Sequence, residues 1–216
     1  AEIVETSPDL LVVWGGDGTH RAALSAAGLS ASNLLLLPGG TMNLLSKSLH
    51  GDKSWEQILQ SVIASPTTRV LPAGTIDGHV FYCAMLAGAP VRLAEARESF
   101  RHGDVGTGLI HLGEALSSLQ TLHLVARYSD GYRFTNEQLP ITSVIGALVG
   151  PMSRNGRMEV FTLAHPSRMS ALNIAWSSMV SSWRDAEGVA IVAADALDID
   201  SEKGSRIPVI IDGEEI

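Results

Sequence analysis

Apolar residues in the first third of the chain come in unbroken runs rather than in alternation. Leu10-Leu11-Val12-Val13-Trp14 and Leu34–Leu37 are continuous apolar runs, the pattern of parallel strands buried on both faces. A glycine-rich turn follows the first run, and a helix is predicted from about Thr19 to Ala27, closed by Gly28. Pro38-Gly39-Gly40 ends the second run, followed by a short helix from about Asn43 to Leu49. Ser54-Trp55-Glu56-Gln57 reads as a capping box opening another helix through Ala64. Strand, helix, strand, helix implies a parallel sheet with crossover connections.

From about residue 68 the pattern changes to short alternating strands. Asp77-Gly78 and Asp130-Gly131 each sit between strand-like runs, Gly74–Ile76 with Val80–Met85 and Leu122–Tyr128 with Tyr132–Thr135, as hairpin turns do. Helices are expected over about Val91–Ser99, Gly108–Leu119 and Arg168–Trp183. Further strands are expected at Ser143–Val149, Met158–Leu163, Val189–Asp195 and Arg206–Ile211. The expected architecture is therefore α/β plus a β-rich second domain with helical insertions. The division is an α/β domain over residues 1–67 and a β-rich domain over 68–216, closely packed because no low-complexity linker separates them. Gly103, Gly106 and Gly108 read as a flexible connection, since no strand precedes them.

Composition narrows the function. Of 216 residues 45% are hydrophobic and 18% charged, enough to fill a core and too few charges for long disorder. Fifteen basic against 23 acidic residues leave a net charge of −8, which argues against nucleic-acid binding, a function of clustered Lys and Arg. Lysine occurs only at Lys47, Lys53 and Lys203, so a polybasic membrane anchor is not expected. The single Cys83 excludes an intrachain disulfide framework and a Cys-rich zinc site, and reads as a small buried apolar residue. The seven histidines show no metal-ligand spacing. No apolar stretch approaches the ~20 residues of a spanning helix. No signal-peptide layout appears, and a reducing, cytoplasmic setting is expected. The chain begins at Ala1, almost directly on a strand, and is expected to be a fragment of a longer polypeptide.

The chemistry concentrates in two loops. Gly15-Gly16-Asp17-Gly18-Thr19 joins the first strand to a helix. Three glycines in four residues cost backbone entropy. Such a turn brings N–H groups close to an anion at a helix N-terminus, and its simpler reading is a tight turn with Asp17 as a cap. It matches neither the P-loop nor the dinucleotide fingerprint. Pro38-Gly39-Gly40-Thr41-Met42-Asn43 ends the next strand. Loops at the carboxyl ends of consecutive parallel strands face one crevice, where open α/β sheets bind ligands. Thr41 and Asn43 bring a hydroxyl and an amide, Asn43 also being a fit helix cap.

Together the two loops resemble the diacylglycerol kinase catalytic-domain family, which includes bacterial lipid kinases and sphingosine kinases and is related to NAD kinases. Gly15–Thr19 corresponds to its G-G-D-G-T signature and Pro38–Asn43 to P-x-G-T-x-N. Val209-Ile210-Ile211-Asp212-Gly213-Glu214 looks like its strand followed by D-G-E. The resemblance implies a two-domain architecture with an N-terminal α/β domain, here truncated, and an active site in the cleft. It implies ATP-dependent transfer of the γ-phosphoryl group to a lipid hydroxyl, such as that of diacylglycerol. Gly15, Gly16, Asp17, Gly18, Thr19, Gly40, Thr41 and Asn43 would bind ATP, with Asp17 near the nucleotide or its Mg²⁺. Asp212 and Glu214 would sit beside the acceptor hydroxyl, one of them as base, sharing a face if the strand continues through both. The implied setting is cytoplasmic and peripheral to the membrane, docked through apolar residues such as Phe100 or Met152, with a homodimer left open. Alternatives are a catalytically degenerate nucleotide-binding relative and a kinase of a soluble acceptor.

The chain departs from the family in beginning almost at the first signature, in stopping just after Glu214, and at Met152–Glu159. There Arg154 and Asn155 stand where many bacterial members carry acidic residues around a structural Mg²⁺. No protein-bound structural metal is therefore expected at residues 152–159, because a fixed positive charge repels a divalent ion.

Overall fold

A computed structural model describes residues 9–27, 33–88, 91, 95–96, 99, 103–121, 124–129, 139–149, 153, 156–163, 189–201, 204 and 206–216. By compactness the chain divides into two units, Ala1–Cys83 and Ala84–Ile216. The change of sequence pattern near residue 68 precedes a hairpin that belongs to the first unit.

The first unit is built on two parallel strands, β1 (Leu10–Gly15) and β2 (Asn33–Pro38). Helix α1 (Asp17–Ala27) connects them; α2 (Leu44–His50) and α3 (Trp55–Ala64) follow. β2 is a core strand: Leu35 and Leu37 pack with Ile58, Leu59 and Val62 of α3. Burial of β1 on both faces is not observed. Val13 is buried, while Leu10, Val12 and Trp14 are exposed, because a two-stranded sheet among the described residues covers only one face with helices. The capping box at Ser54 forms as expected: its hydroxyl accepts from Gln57 N and Gln57 Oε1 accepts from Ser54 N.

β3 (Gly74–Ile76) and β4 (His79–Phe81) make the expected hairpin, with Asp77 at φ 47° and Gly78 at φ 83°. Positive φ at both central positions is the type I′ turn that Asp-Gly favours. The second strand is shorter than the run Val80–Met85, since the chain leaves the hairpin at Tyr82-Cys83 and enters another sheet. Cys83 is buried, as expected.

The C-terminus of α2 carries an acid-sensitive group. Burial, then the charges of Arg69 and Lys53, push the His50 imidazole below its ordinary 6.5. The folded state thus prefers neutral His50. This contribution to stability is present above pH 6.5 and is lost as pH falls through that value toward the folded one. A drop in Tm between pH 7 and 5.5 that shrinks in His50→Gln is the expected result; identical pH profiles would refute it.

The second unit contains a six-stranded antiparallel sheet in the order β10-β9-β8-β5-β12-β13, from Val189–Ala194, Met158–Leu163, Ser143–Ala147, Ala84–Gly88, Val209–Ile211 and Glu214–Glu215. A three-stranded sheet holds β11 (Ala196–Ser201), β6 (Leu124–Ser129) and β7 (Leu139–Ile141). Arg127 and Asp198 face each other across β6 and β11 and pair. β7 and β11 were not anticipated, being short or polar. The Asp130-Gly131 turn, Tyr132–Thr135 and the helix expected at 168–183 lie outside the described residues. Described residues of 91–99 are helical.

The glycine connection expected at Gly103–Gly108 is instead the start of α4 (Val105–Thr121). Only Gly103 is a turn residue, at φ 80°. Asp104 caps the helix by accepting from Thr107 N at 3.0 Å, which offsets the helix cost of Gly106 and Gly108. The backbone and hydroxyl of Thr107 hold the Asp104 carboxyl below its usual range, helped by His111. Among the described residues, no helix is long and apolar enough to cross a membrane.

Candidate functional site

The parallel register sets the site. Trp14 lies opposite Leu37 and Gly15 opposite Pro38, so both loops leave the sheet at the same level. Gly39 N continues the ladder by donating to Gly15 O at 2.8 Å, and Trp14 Nε1 donates to Pro38 O at 3.0 Å. The loops then meet backbone to backbone. A Cβ on Gly40 would lie 2.6 Å from Gly16 Cα, one on Gly39 3.0 Å from Gly15 Cα, and one on Gly15 2.6 Å from Thr19 Cβ. Three of the glycines, Gly15, Gly39 and Gly40, are thus explained by packing alone. Gly18 is the exception, since a Cβ there would meet nothing within 4 Å.

Asp17 ties the loops together. Its Oδ2 accepts from Leu44 N at 3.1 Å and its Oδ1 from Leu45 N at 3.0 Å. It therefore caps α2, 27 residues downstream. Asn43 stands at the ordinary cap position of α2, yet its side chain turns back to Gly40. Its Oδ1 accepts from Gly40 N at 2.8 Å and its Nδ2 donates to Gly40 O at 2.6 Å. Asn43 adopts φ 52°, a left-handed conformation that asparagine tolerates better than most residues. Its amide locks the second loop, while the carboxylate of the first loop serves its helix.

This exchange leaves α1 without a side-chain cap. His20 N donates to Gly16 O at 3.0 Å, making Gly16 the cap position, and glycine has no acceptor to offer. The N–H groups of Asp17, Gly18 and Thr19 form the first turn, which has no intrahelical acceptors. Free N–H groups at the positive end of a helix dipole are the kind of arrangement to which anions bind. Gly18, Thr19, Gly40 and Thr41 are exposed there.

His20 was not singled out from the sequence. It is fully buried, and its Nε2 contacts Leu37 O at 3.0 Å. A carbonyl only accepts, so the proton sits on Nε2. Ser46 Oγ donates likewise to Leu36 O at 3.0 Å. One side chain from α1 and one from α2 thus clasp the end of β2. A polar residue directly after G-G-D-G-T, on the inward face of α1, was the available signal.

Asp212 and Glu214 lie in the second unit and do not share a strand face. Asp212 at φ 46° and Gly213 at φ 91° make a second type I′ turn, and Ile211 pairs with Glu214 across it. The Asp-Gly pair reverses the chain, so the strand does not continue through both and the condition for a shared face is not met. Asp212 is anchored to β5: its N donates to Ala84 O at 2.9 Å and its Oδ1 accepts from Ala84 N at 3.0 Å. Glu214 is exposed. Phe100, Met152, Arg154 and Asn155 lie outside the described residues, and Glu159 is fully buried in β9.

Residues 1–76, which contain both loops, match the family model of the diacylglycerol kinase catalytic domain. This segment is similar to the diacylglycerol kinase catalytic-domain family. The likeness to solved structures extends over the rest. A provisionally named diacylglycerol kinase from Bacillus anthracis strain Sterne is 18% identical with a TM-score of 0.66, covering 99% of this chain and 73% of that one. A diacylglycerol kinase structure from the same strain gives 18% identity and a TM-score of 0.64, covering 100% and 73%. At that identity the likeness shows the fold alone: an α/β segment followed by a β-rich unit. A comparison with curated proteins finds no match.

Proposed function

We propose that the protein is an ATP-dependent lipid kinase, with residues 1–67 as the nucleotide-binding part and 68–216 as the acceptor part. The observation that carries this reading is the uncapped first turn of α1 held against Gly40, in a segment similar to the diacylglycerol kinase family. Gly15, Gly16, Gly18 and Thr19 would present backbone N–H groups to the ATP phosphates, with Gly40, Thr41 and Asn43 closing the opposite side. Asp17 holds the two loops in register. Each of its oxygens keeps a second lone pair, so it also suits a Mg²⁺ carried by the triphosphate. That ion supplies charge neutralisation when bound.

In the proposed reaction the lipid hydroxyl oxygen forms a bond to the γ-phosphorus. The bond to the β–γ bridging oxygen breaks, ADP leaves, and the hydroxyl proton passes to a carboxylate, Asp212 or Glu214. A base of this kind contributes ~10²–10⁴-fold. Peripheral apolar contact with the bilayer fits a chain of net charge −8, and Leu109 and Ile110 of α4 are exposed apolar residues suited to it.

The test is transfer of labelled γ-phosphate from ATP-Mg²⁺ to a panel of vesicle lipids and soluble alcohols. Labelled lipid is expected. A labelled soluble product would favour the alternative acceptor class, and ATP binding without transfer a degenerate relative. Asp212→Asn should lower turnover by ~10²–10⁴-fold while keeping the fold, because Asn Oδ1 still accepts from Ala84 N. Wild-type turnover in this variant and in Glu214→Gln would remove both from the role of base.

A further inference from the structure

We propose that Trp14, with Trp55 beside it, is the stacking platform for the base of the nucleotide, and that it selects for an aromatic base rather than for one particular base. The proposal rests on the nucleotide-binding reading of the two glycine loops. Trp14 directly precedes Gly15 at the carboxyl end of β1. Three residues of chain span at most about 11 Å, so its backbone lies within that distance of Asp17, where α1 begins. The sugar and α-phosphate of one nucleotide fill such a gap between a base on Trp14 and phosphates at the first turn of α1.

Trp14 is 66% exposed and Trp55 40%, although large aromatic side chains gain most from burial. Leu10 and Val12 are exposed along the same strand, but Trp14 alone of the three reaches the carboxyl end, where open parallel sheets bind ligands. The indole is also held in place. Its Nε1 donates to Pro38 O at 3.0 Å, and a Cβ on Gly39 would lie 3.0 Å from that same nitrogen. The second loop therefore runs against the indole edge. Leu37, opposite Trp14 in the register, packs against α3. Trp55, the first residue of α3, meets Trp14 with ring centroids 6.0 Å apart and planes inclined at 47°. At that tilt neither ring covers the face of the other, and a planar ligand laid on one is flanked by the other. The polar atom of the indole is already engaged, so Trp14 offers a base its π-face and no donor. Stacking tolerates any base, because every base has a π-face. An indole already fixed by a hydrogen bond also loses little freedom when a ligand binds. The ligand class that fits is a nucleoside triphosphate, with the larger purines ahead of the pyrimidines.

The full chain is titrated calorimetrically with the Mg²⁺ complexes of ATP, GTP, UTP and inorganic tripolyphosphate, the last carrying the phosphates without a base. ATP should bind about 5–150-fold tighter than tripolyphosphate. GTP should bind about as tightly as ATP, and UTP more weakly than either. Trp14→Ala should bring ATP down to the level of tripolyphosphate and leave tripolyphosphate itself unchanged. Trp14→Phe, which keeps an aromatic face and lacks the indole N–H, should keep most of the preference. A merely structural Trp14 would instead lower the affinity for both ligands in both variants, and that result would overturn the proposal. So would equal affinity for ATP and tripolyphosphate in wild type, a comparison that needs no variant, or a strong preference for one purine over the other. Equal wild-type affinity would leave the loops as a phosphate site and the kinase reading intact, whereas a wild type that binds neither ligand removes both. Base-dependent binding without phosphoryl transfer to any acceptor would uphold the platform and count against the kinase.

Discussion

Gly40→Ala should abolish nucleotide binding and destabilise the protein, while Gly18→Ala should weaken nucleotide binding without destabilising it. A Cβ on Gly40 would sit 2.6 Å from Gly16 Cα, and neither partner is a side chain that can rotate away. The loops must separate, at a cost of ~1–3 kcal/mol, or about 2–4 °C of Tm per kcal/mol in a chain of this size. Separation also spoils the facing arrangement that the phosphates require. Gly18 is different, because its Cβ direction is open and alanine is the better helix former by ~1 kcal/mol. Tm should hold or rise by a few degrees, yet the added methyl stands where backbone must approach an anion, and ATP affinity should fall ~10–100-fold, about 1.4–2.8 kcal/mol. Calorimetry and ATP titration on both variants decide the matter. Undiminished ATP affinity in Gly18→Ala would mean that the first turn of α1 does not hold phosphate.

Asp17→Ala should cost about 2 kcal/mol of stability even in the absence of ATP and Mg²⁺. Its two carboxylate oxygens accept from Leu44 N and Leu45 N, and hydrogen bonds to charged groups contribute ~1.5–3 kcal/mol. Removing the carboxylate strips α2 of its cap, since Asn43 is committed to Gly40. Asp17→Asn retains one acceptor oxygen and should lose about half as much. Both variants should bind ATP less tightly, because the second loop is no longer held in register with the first. Denaturant titrations in chelator isolate this role from any contact with Mg²⁺. Wild-type stability of Asp17→Ala under those conditions would refute it.

The two explanations for the glycines, tight turn and phosphate cradle, looked like rivals in the sequence. The structure supports the first at some of them, and the second is the role proposed for the rest. Gly39 and Gly40 answer to backbone contact with Gly15 and Gly16, Gly15 also to the Thr19 side chain, and packing leaves Gly18 unexplained. The cap reading of Asp17 was likewise present, but the helix it caps was not, because nothing local relates Asp17 to Leu44 and Leu45. Asn43 looked like the cap of α2 and occupies that position without performing the task.

Local chemistry determined much of the chain. Continuous apolar runs specify β1 and β2, Ser54 and Gln57 specify the start of α3, and Asp77-Gly78 specifies its hairpin, because each depends on residues within a few positions of one another. The resemblance carried by Gly15–Thr19 and Pro38–Asn43 was legible for the same reason. Tertiary structure alone decided the rest. The parallel register placed Gly15 beside Pro38 and made the glycine contacts necessary. Uncovered sheet area left Leu10, Val12 and Trp14 exposed despite their hydrophobicity. A turn with two positive φ angles separated Asp212 from the strand of Glu214. In each case the deciding energy lies between residues distant in sequence, where neither periodicity nor spacing leaves a trace.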